Sequence, residues 1–259
     1  MRKSMAYDLP TRLFHWIFAG LFVSAFFIAK TIDDESPTYA YHMLLGIMLA
    51  FTAALRIIWG IVGTRYARFT SFRLHPRDLI EYFGSLVSSK TKRELGHNPA
   101  SSWAAVAMLI FTFGLAFTGI QMAQGNNKEF FEEIHELFAN AFVLTVLVHI
   151  GGVVFHTLRH KDPIALSMVT GQKTSDGDEP AIQSSRPIVA ILFLILITAF
   201  GNNLIKNYDS ATQKLNLFGL SLQLGEAENE NENNGAGDDD DANQGQQGDN
   251  EEDDDEDDD

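Results

Sequence analysis

Residues Ile134–Leu158 read IHELFANAFVLTVLVHIGGVVFHTL, a largely apolar run in which histidine recurs. His135, Phe142, His149 and His156 follow one another at intervals of seven. A helix therefore places them on one stripe that drifts by about 20° per heptad. His135 and His149 lie roughly 21 Å apart along such a helix, which fits two haems stacked across a bilayer. The step from His149 to His156, about 10 Å, is too short for two separate porphyrins.

Four more apolar runs accompany this one. The five runs are Leu13–Ala29, Tyr39–Val62, Trp103–Met122, Leu137–Leu158 and Ile188–Ile205. About 20 helical residues cross the hydrocarbon core of a bilayer, and in lipid such runs must be helical because every backbone polar group needs an internal partner. The first run lacks a small-residue cleavage site, so we expect a retained helix rather than a signal peptide. The sequence predicts an all-α integral membrane protein: a four-helix bundle holding two haems, with a fifth C-terminal transmembrane helix and a disordered acidic tail.

The charges are unevenly distributed along the chain. Of 34 acidic residues, 18 lie in Glu226–Asp259, which has no Lys or Arg. In the rest of the chain most Lys and Arg lie in the N-terminus and in the loops 63–102 and 159–187, whereas the loops 31–38 and 123–134 are acidic. The positive-inside rule then predicts a bacterial inner-membrane protein with a cytoplasmic N-terminus and a periplasmic tail.

The predicted domain organisation follows from these segments. We expect a four-helix dihaem domain at 1–175, a linker at 176–187, the fifth helix at 188–205, a short periplasmic segment at 206–225 and a disordered tail at 226–259. Within the second loop, His75–Val87 predicts a short amphipathic helix that lies in the membrane interface or packs as a hairpin.

The remaining histidines supply candidate partners for the two on the fourth helix. Each six-coordinate haem needs a second axial ligand, and His15 and His42 begin the first and second runs at opposite membrane sides. Orientation pairs His15 with His149 and His42 with His135. His75 and His97 lie in a loop, and His156 and His160 lie at a basic helix end where polar side chains reach the interface.

Two further features concern the cofactors. Arg12, one turn before His15, suits a haem propionate or a positive anchor, and Arg65 and Arg68 allow the same two interpretations. The chain contains no cysteine, which excludes disulfides, Cys-ligated iron–sulfur clusters and covalent c-type haem.

Several segments resemble the prokaryotic cytochrome b561 family, which includes the cytochrome b subunits of nickel–iron hydrogenases. They are YDLPTRLFHW, YHMLLG, RYARF, GHNPAS, HE, HIGGV and MVTGQK, between about Tyr7 and Lys173. The resemblance implies four helices around two bis-histidine b haems, which exchange electrons between a quinone pool and a partner protein. His15, His42, His135 and His149 match the family's haem ligands. The fifth helix and the tail lie outside the resemblance, and Lys161–Asp162–Pro163 departs from the family's usual acidic continuation.

Four functions remain open at this point. The leading interpretation is electron transfer between quinone and a periplasmic redox protein, such as a cytochrome c, with the acidic tail either steering a basic partner or merely solvated. The alternatives are a membrane-anchor subunit of a hydrogenase or dehydrogenase, a superoxide-oxidising cytochrome, and a metal-ion transporter. A transporter is expected to place carboxylates or Met beside its histidines, and only Glu136 lies near the apolar runs. We expect lipid around the spans and no nucleic-acid partner.

Overall fold

The computed structural model describes residues 2–87, 95–175 and 179–225. Its helices are α1 (Leu9–Thr31), α2 (Ala40–Val62), α3 (Pro76–Val87), α4 (Pro99–Ala123), α5 (Lys128–His160), α6 (Ser167–Thr170) and α7 (Pro187–Asn207). Its strands are β1 (Arg2–Met5), β2 (Gln172–Ser175), β3 (Tyr208–Asp209), β4 (Lys214–Leu217) and β5 (Leu220–Gln223). Five helices are long and apolar enough to span a membrane, namely α1, α2 with its preceding turn, α4, α5 and α7. The prediction of five helical spans is therefore confirmed.

Asp and Asn side chains start two of the spans. Asp8 caps α1 by accepting a 2.8 Å hydrogen bond from the backbone N–H of Thr11, and Asn98 caps α4 through the N–H of Ser101 at 2.7 Å. Proline follows in the first turn of both helices, where a missing N–H costs nothing. α5 has 33 residues, a length of about 50 Å. It therefore extends past the hydrocarbon core and carries His135 within its first turns.

The spans pack as two helical hairpins. α1 pairs with α2 and α4 with α5, while α2 also contacts α4. α7 lies outside this four-helix bundle, against α1 and α2. There Phe193 packs on Phe14 with ring centroids 4.8 Å apart. The fifth helix therefore packs against the first hairpin and does not lie between the two hairpins.

The three segments that carry most of the Lys and Arg meet at one end of the bundle, which we call the basic end. β1 pairs antiparallel with β2, which joins the N-terminus to the chain after α5. Lys173 donates a 2.7 Å hydrogen bond to the carbonyl of Gly96, just before α4. Tyr66, just after α2, donates to the carbonyl of Pro180 at 2.9 Å. The predicted linker 176–187 is thus attached to this end through its described part, residues 179–187.

A buried carboxylate joins two helices at the basic end. Asp8 has no exposed surface, and besides its cap bond it accepts hydrogen bonds from Trp59 Nε1 at 3.2 Å and from the Thr64 hydroxyl. Trp59 lies in the last turn of α2 and Thr64 just beyond it. One side chain therefore connects the start of α1 to the end of α2.

The opposite end, which we call the acidic end, is covered by a small sheet. β3, β4 and β5 form an antiparallel meander, in which Leu215 and Leu222 pack with Leu224 against Leu204 of α7 and Ala40 of α2. The sequence carries this signal as alternating leucines on both sides of the Phe218–Gly219 turn, a period of two that is typical of a hairpin. We predicted only a short segment there.

The described residues belong to one compact unit, Met1–Ala227. The all-α membrane fold is confirmed, with two small sheets added at the ends of the bundle. The short amphipathic helix is present as α3, with Ile80 70 % and Phe83 49 % exposed. The acidic tail at 226–259, which we predict to be disordered, lies outside the described residues.

Candidate functional site: two histidine pairs between helical hairpins

The four predicted ligands lie on the facing sides of the two hairpins. His15 is on α1, His42 on α2, and His135 and His149 on α5. All four side chains are half-buried. The structure thus brings together the two pairs that orientation predicted, one near each end of the bundle.

His42 and His135 form the acidic-end pair. Their ring centroids are 6.3 Å apart, with ring planes at 69°. Nδ1 of His42 lies 2.9 Å from the carbonyl oxygen of Ala25 on α1. Because a carbonyl only accepts, Nδ1 of His42 carries the proton and Nε2 keeps its lone pair.

Thr118 of α4 orients His135 in the same way. Its hydroxyl donates to the carbonyl of Gly114 at 3.0 Å, so its oxygen accepts from Nδ1 of His135, 2.8 Å away. Nε2 of His135 is again left with a lone pair. Gly119 adjoins the ring, and a Cβ added there would lie 3.7 Å from Cε1 of the imidazole, an ordinary van der Waals contact.

The acidic-end pair fits an iron held by two imidazoles. Imidazole nitrogen binds a first-row metal at about 2.0 Å, which puts the centroids of two opposed rings about 6 Å apart. The observed 6.3 Å matches this spacing. A Cβ added at Gly46, one turn from His42, would meet no atom within 4 Å. The space beside Gly46 is therefore open.

His15 and His149 form the basic-end pair. The two side chains lie within electrostatic range of each other. Trp16 places its ring edge-on to His15, with centroids 5.1 Å apart. Nδ1 of His15 is buried and has no hydrogen-bond partner among residues 2–87, 95–175 and 179–225. A buried imidazole nitrogen without a hydrogen-bond partner is costly in free energy. Binding of a metal by one ring nitrogen, with the ring turned so that the other nitrogen reaches a partner, would remove that cost.

An aromatic layer separates the two pairs. Phe142 lies seven residues from both His135 and His149 and has no exposed surface. Its ring packs on Phe22 of α1, with centroids 4.4 Å apart, and lies 6.3 Å from the ring of Phe111 on α4. Phe142 therefore bridges the two hairpins midway between the pairs and holds them apart.

Arg12 has partners within the protein. Its guanidinium donates to the carbonyl of Val169 in α6, and its Nε reaches the carbonyl of Asp8 at 3.4 Å. Trp16 also donates to this segment, to the carbonyl of Met168 at 3.0 Å. Arg12 thus fastens α6 to α1 beside His15. Its role toward a propionate stays a prediction.

The other histidines have ordinary surroundings, with one exception. His75 is exposed and accepts from the backbone N–H of Arg77 at 3.2 Å, and the rings of His156 and His160 lie 4.5 Å apart. His97 differs, because it packs against Phe72, with centroids 4.7 Å apart, and its Nδ1 is buried without a partner in the described chain.

The environment of His97 was not evident from its position in a loop. Burial, with Lys173 and then Arg56 nearby, lowers the pKa of His97 to about 3. His97 is therefore neutral at pH 7. The pair Gly96–His97 directly precedes the Asn98 cap of α4, and this was the available sequence signal that the residue lies close to the bundle.

No group of three or more His, Cys, Asp or Glu side chains that could hold a metal ion occurs in the part of the chain that the structure describes. The histidines are instead arranged in twos. Two imidazoles complete the coordination of an iron whose other ligands come from a porphyrin.

Comparisons with known proteins agree with this arrangement. The family model for prokaryotic cytochrome b561 matches residues 6–171. A probable Ni/Fe-hydrogenase B-type cytochrome subunit of Cupriavidus necator is 23 % identical over 217 residues, covering 67 % of this chain and 88 % of the relative. A probable Ni/Fe-hydrogenase B-type cytochrome subunit of Rhodobacter capsulatus is 24 % identical over 217 residues, covering 66 % of this chain and 82 % of the relative.

A probable Ni/Fe-hydrogenase 1 B-type cytochrome subunit of Escherichia coli K12 is 23 % identical over 137 residues, covering 45 % of this chain and 58 % of the relative. No solved structure matches the chain. The five membrane spans and the match over most of the helical core lead to one conclusion: this chain belongs to the prokaryotic cytochrome b561 family and is a multi-pass, b-type membrane cytochrome.

Proposed function

We propose that the protein carries electrons between two haem b groups stacked across the bacterial inner membrane. His42 and His135 hold one iron and His15 and His149 hold the other. The 6.3 Å separation of the His42 and His135 rings carries this proposal. In that pair both Nδ1 atoms have partners and both Nε2 atoms are free to bind iron.

The chain positions the two groups and controls their surroundings. Bound haem supplies the one-electron chemistry. Ala25 and Thr118 fix the imidazoles of the acidic-end pair, and such hydrogen bonds also make a ligating histidine more basic. Phe142 keeps the pairs apart, and its apolar layer excludes water from the space between them.

We place the basic end in the cytoplasm and the acidic end in the periplasm. The segments with most of the Lys and Arg meet at the basic end and support this orientation through the positive-inside rule. Electrons then pass between the quinone pool and a redox protein outside the membrane. The curated relatives are named as hydrogenase subunits, which favours a hydrogenase as that redox protein. A cytochrome c that binds the acidic tail is the second candidate.

Haem stoichiometry tests the central proposal. The full-length protein, expressed with sufficient haem and purified in detergent, is expected to show two b-type haems per chain in dithionite-reduced minus oxidised spectra. A colourless protein, or one haem per chain at saturation, would contradict it.

Electron donors distinguish the two partners. In membranes of the native bacterium, hydrogen gas is expected to reduce the haems if the protein is the membrane subunit of a hydrogenase. Duroquinol should reduce them in either case. Haems that respond to duroquinol but not to hydrogen, in membranes with active hydrogenase, would exclude the hydrogenase role.

The acidic tail tests the cytochrome c candidate. Deletion of Glu226–Asp259 should slow the reduction of a basic cytochrome c at low salt and matter little at high salt, because surface electrostatics are screened. An uncharged tail of equal length, with Asn and Gln in place of Asp and Glu, is the matched control and should behave like the deletion. Equal rates for all variants at both salts would remove the tail from the proposal.

A further inference from the structure

A cavity of about 490 Å³ opens at the basic end, away from both histidine pairs. Three segments that lie between spans build it: the chain after α2, the chain before α4 and the chain before α7. Its lining includes Arg65, Arg68, Ser71, Arg73, His97 and Glu179. The electron-transfer proposal leaves this cavity without a role.

The lining is strongly cationic. Three arginines face a single acid, Glu179, whose carboxylate accepts the backbone N–H of Leu95. Arg73 is paired with Asp78, Nε to Oδ2 at 3.2 Å. Arg65 and Arg68 are exposed, and neither forms an ion pair with any residue that the structure describes. Two guanidinium groups are therefore available to a ligand.

The donors suit a phosphate. A guanidinium offers two parallel N–H groups that match the oxygens of phosphate in a fork-like geometry. His97 adds a neutral, buried Nδ1 without a partner in the described ranges. The cavity thus offers positive charge and directional donors at one place. Arginines that serve only to set the membrane orientation need not lie close together.

The cavity lies at the depth of the lipid headgroups. Arg65 is three residues beyond Val62, the last residue of the α2 span, and Gly96 and His97 precede α4 directly. The amphipathic α3 belongs to the same segment and exposes Ile80 and Phe83, as a helix in the membrane interface does. Basic pockets at this position suit anionic lipid headgroups.

We propose that this cavity binds the phosphate of an anionic phospholipid headgroup from the leaflet at the basic end, with Arg65 and Arg68 as its main ligands. The bound lipid would tie the loop after α2 to the chain before α4 and α7. This site is independent of the haems and of the redox partner.

The experiment uses the full-length haem-loaded protein in phosphatidylcholine nanodiscs, titrated with phosphatidylglycerol and followed by native mass spectrometry. The test variant is Arg65→Gln/Arg68→Gln. The matched control is Arg77→Gln/Lys161→Gln, which removes two positive charges from the same end but changes no residue that lines the cavity. An arginine near the membrane surface contributes about fivefold to the binding of anionic lipid. We therefore expect affinity roughly 25-fold lower in the test variant, unchanged affinity in the control, and two haems per chain in both.

Other results would overturn the proposal. Equal weakening in both double variants would indicate diffuse attraction to the membrane. Loss of haem from the test variant without a change in lipid binding would assign the arginines to a haem propionate. Saturation by inorganic phosphate, with no binding of phosphatidylglycerol, would make the ligand a soluble ion. If the test variant does not fold, Arg65→Lys/Arg68→Lys keeps the charge and loses the fork, and an affinity equal to wild type would refute the arginine-specific site.

Discussion

The acidic-end and basic-end histidine pairs differ in how the protein holds them. At the acidic end each Nδ1 has a protein partner, Ala25 for His42 and Thr118 for His135. At the basic end Nδ1 of His15 has no partner in the described chain. The first pair is oriented by its own hydrogen bonds, whereas His15 in the second pair depends on the packing around it.

At the basic end, hydrogen bonds hold the helix that carries His15 in place. Asp8 joins α1 to α2, and Arg12 and Trp16 fasten α1 to α6. The two histidine pairs of one helix bundle are thus supported in two ways: by hydrogen bonds to the imidazoles, or by fixing the helix that carries them.

Removal of a ligand should have the largest effect. His135→Ala is expected to abolish the acidic-end haem and His15→Ala the basic-end haem, because each change removes one of the two imidazoles that would hold the iron. Haem per chain would fall from two to one in each variant, measured by reduced minus oxidised spectra. The exposed His75→Ala should keep both haems. Two haems in His135→Ala would refute the assigned pairs.

Asp8→Ala should weaken the basic end selectively. It removes a helix cap and leaves the buried Trp59 N–H without an acceptor, a loss of about 3 kcal/mol in unfolding free energy. Unfolding in mixed micelles with increasing SDS would measure the change. Asp33→Ala, at an exposed turn of the acidic end, is the control and should lie near wild type. If the basic-end haem of the Asp8→Ala variant is lost no sooner than the acidic-end haem during unfolding, Asp8 does not stabilise the basic end selectively.

Phe142→Ala should affect both pairs alike. Inside a membrane the free energy of transfer from water to an apolar interior does not contribute. We therefore expect mainly the cost of the cavity, a loss of about 2 kcal/mol in unfolding free energy. The same SDS titration measures it, with Phe27→Ala as control because that residue is 64 % exposed. A change confined to one haem spectrum would show that Phe142 belongs to one site rather than to a layer between two.

Thr118→Val should have the smallest effect and be limited to the acidic end. It removes the side-chain acceptor of Nδ1 of His135, and loss of such an outer partner lowers metal affinity by roughly tenfold. Competitive transfer of haem to apomyoglobin would measure it. Thr112→Val is matched, since Thr112 is equally buried and donates to the carbonyl of Met108 on the same helix. Equal haem loss in both variants would mean that the hydrogen bond to His135 is unimportant.

The sequence was informative where one helix carries its own pattern. The seven-residue spacing of His135, Phe142 and His149, the five apolar runs and the alternating loop charges predicted the spans, the histidine pairs and their opposite ends. The leucine alternation of β4 and β5 was equally local and could have been recognised.

Other features arise only when distant segments meet. The partnership of Asp8 with Trp59, the acceptor that Thr118 provides for His135, and the burial of His97 each join residues from different helices or loops. Their spacing in the chain carries no period that a sequence pattern could reveal.

Sequence alone determined which residues can span the membrane and which histidines share a helical face, because both follow from the apolar length and the period of a single helix. The tertiary structure decided which nitrogen of His42 and of His135 is free, which pair is held by hydrogen bonds, and where the arginines after α2 converge. These properties depend on distances between separate helices, which are set by packing across the whole bundle.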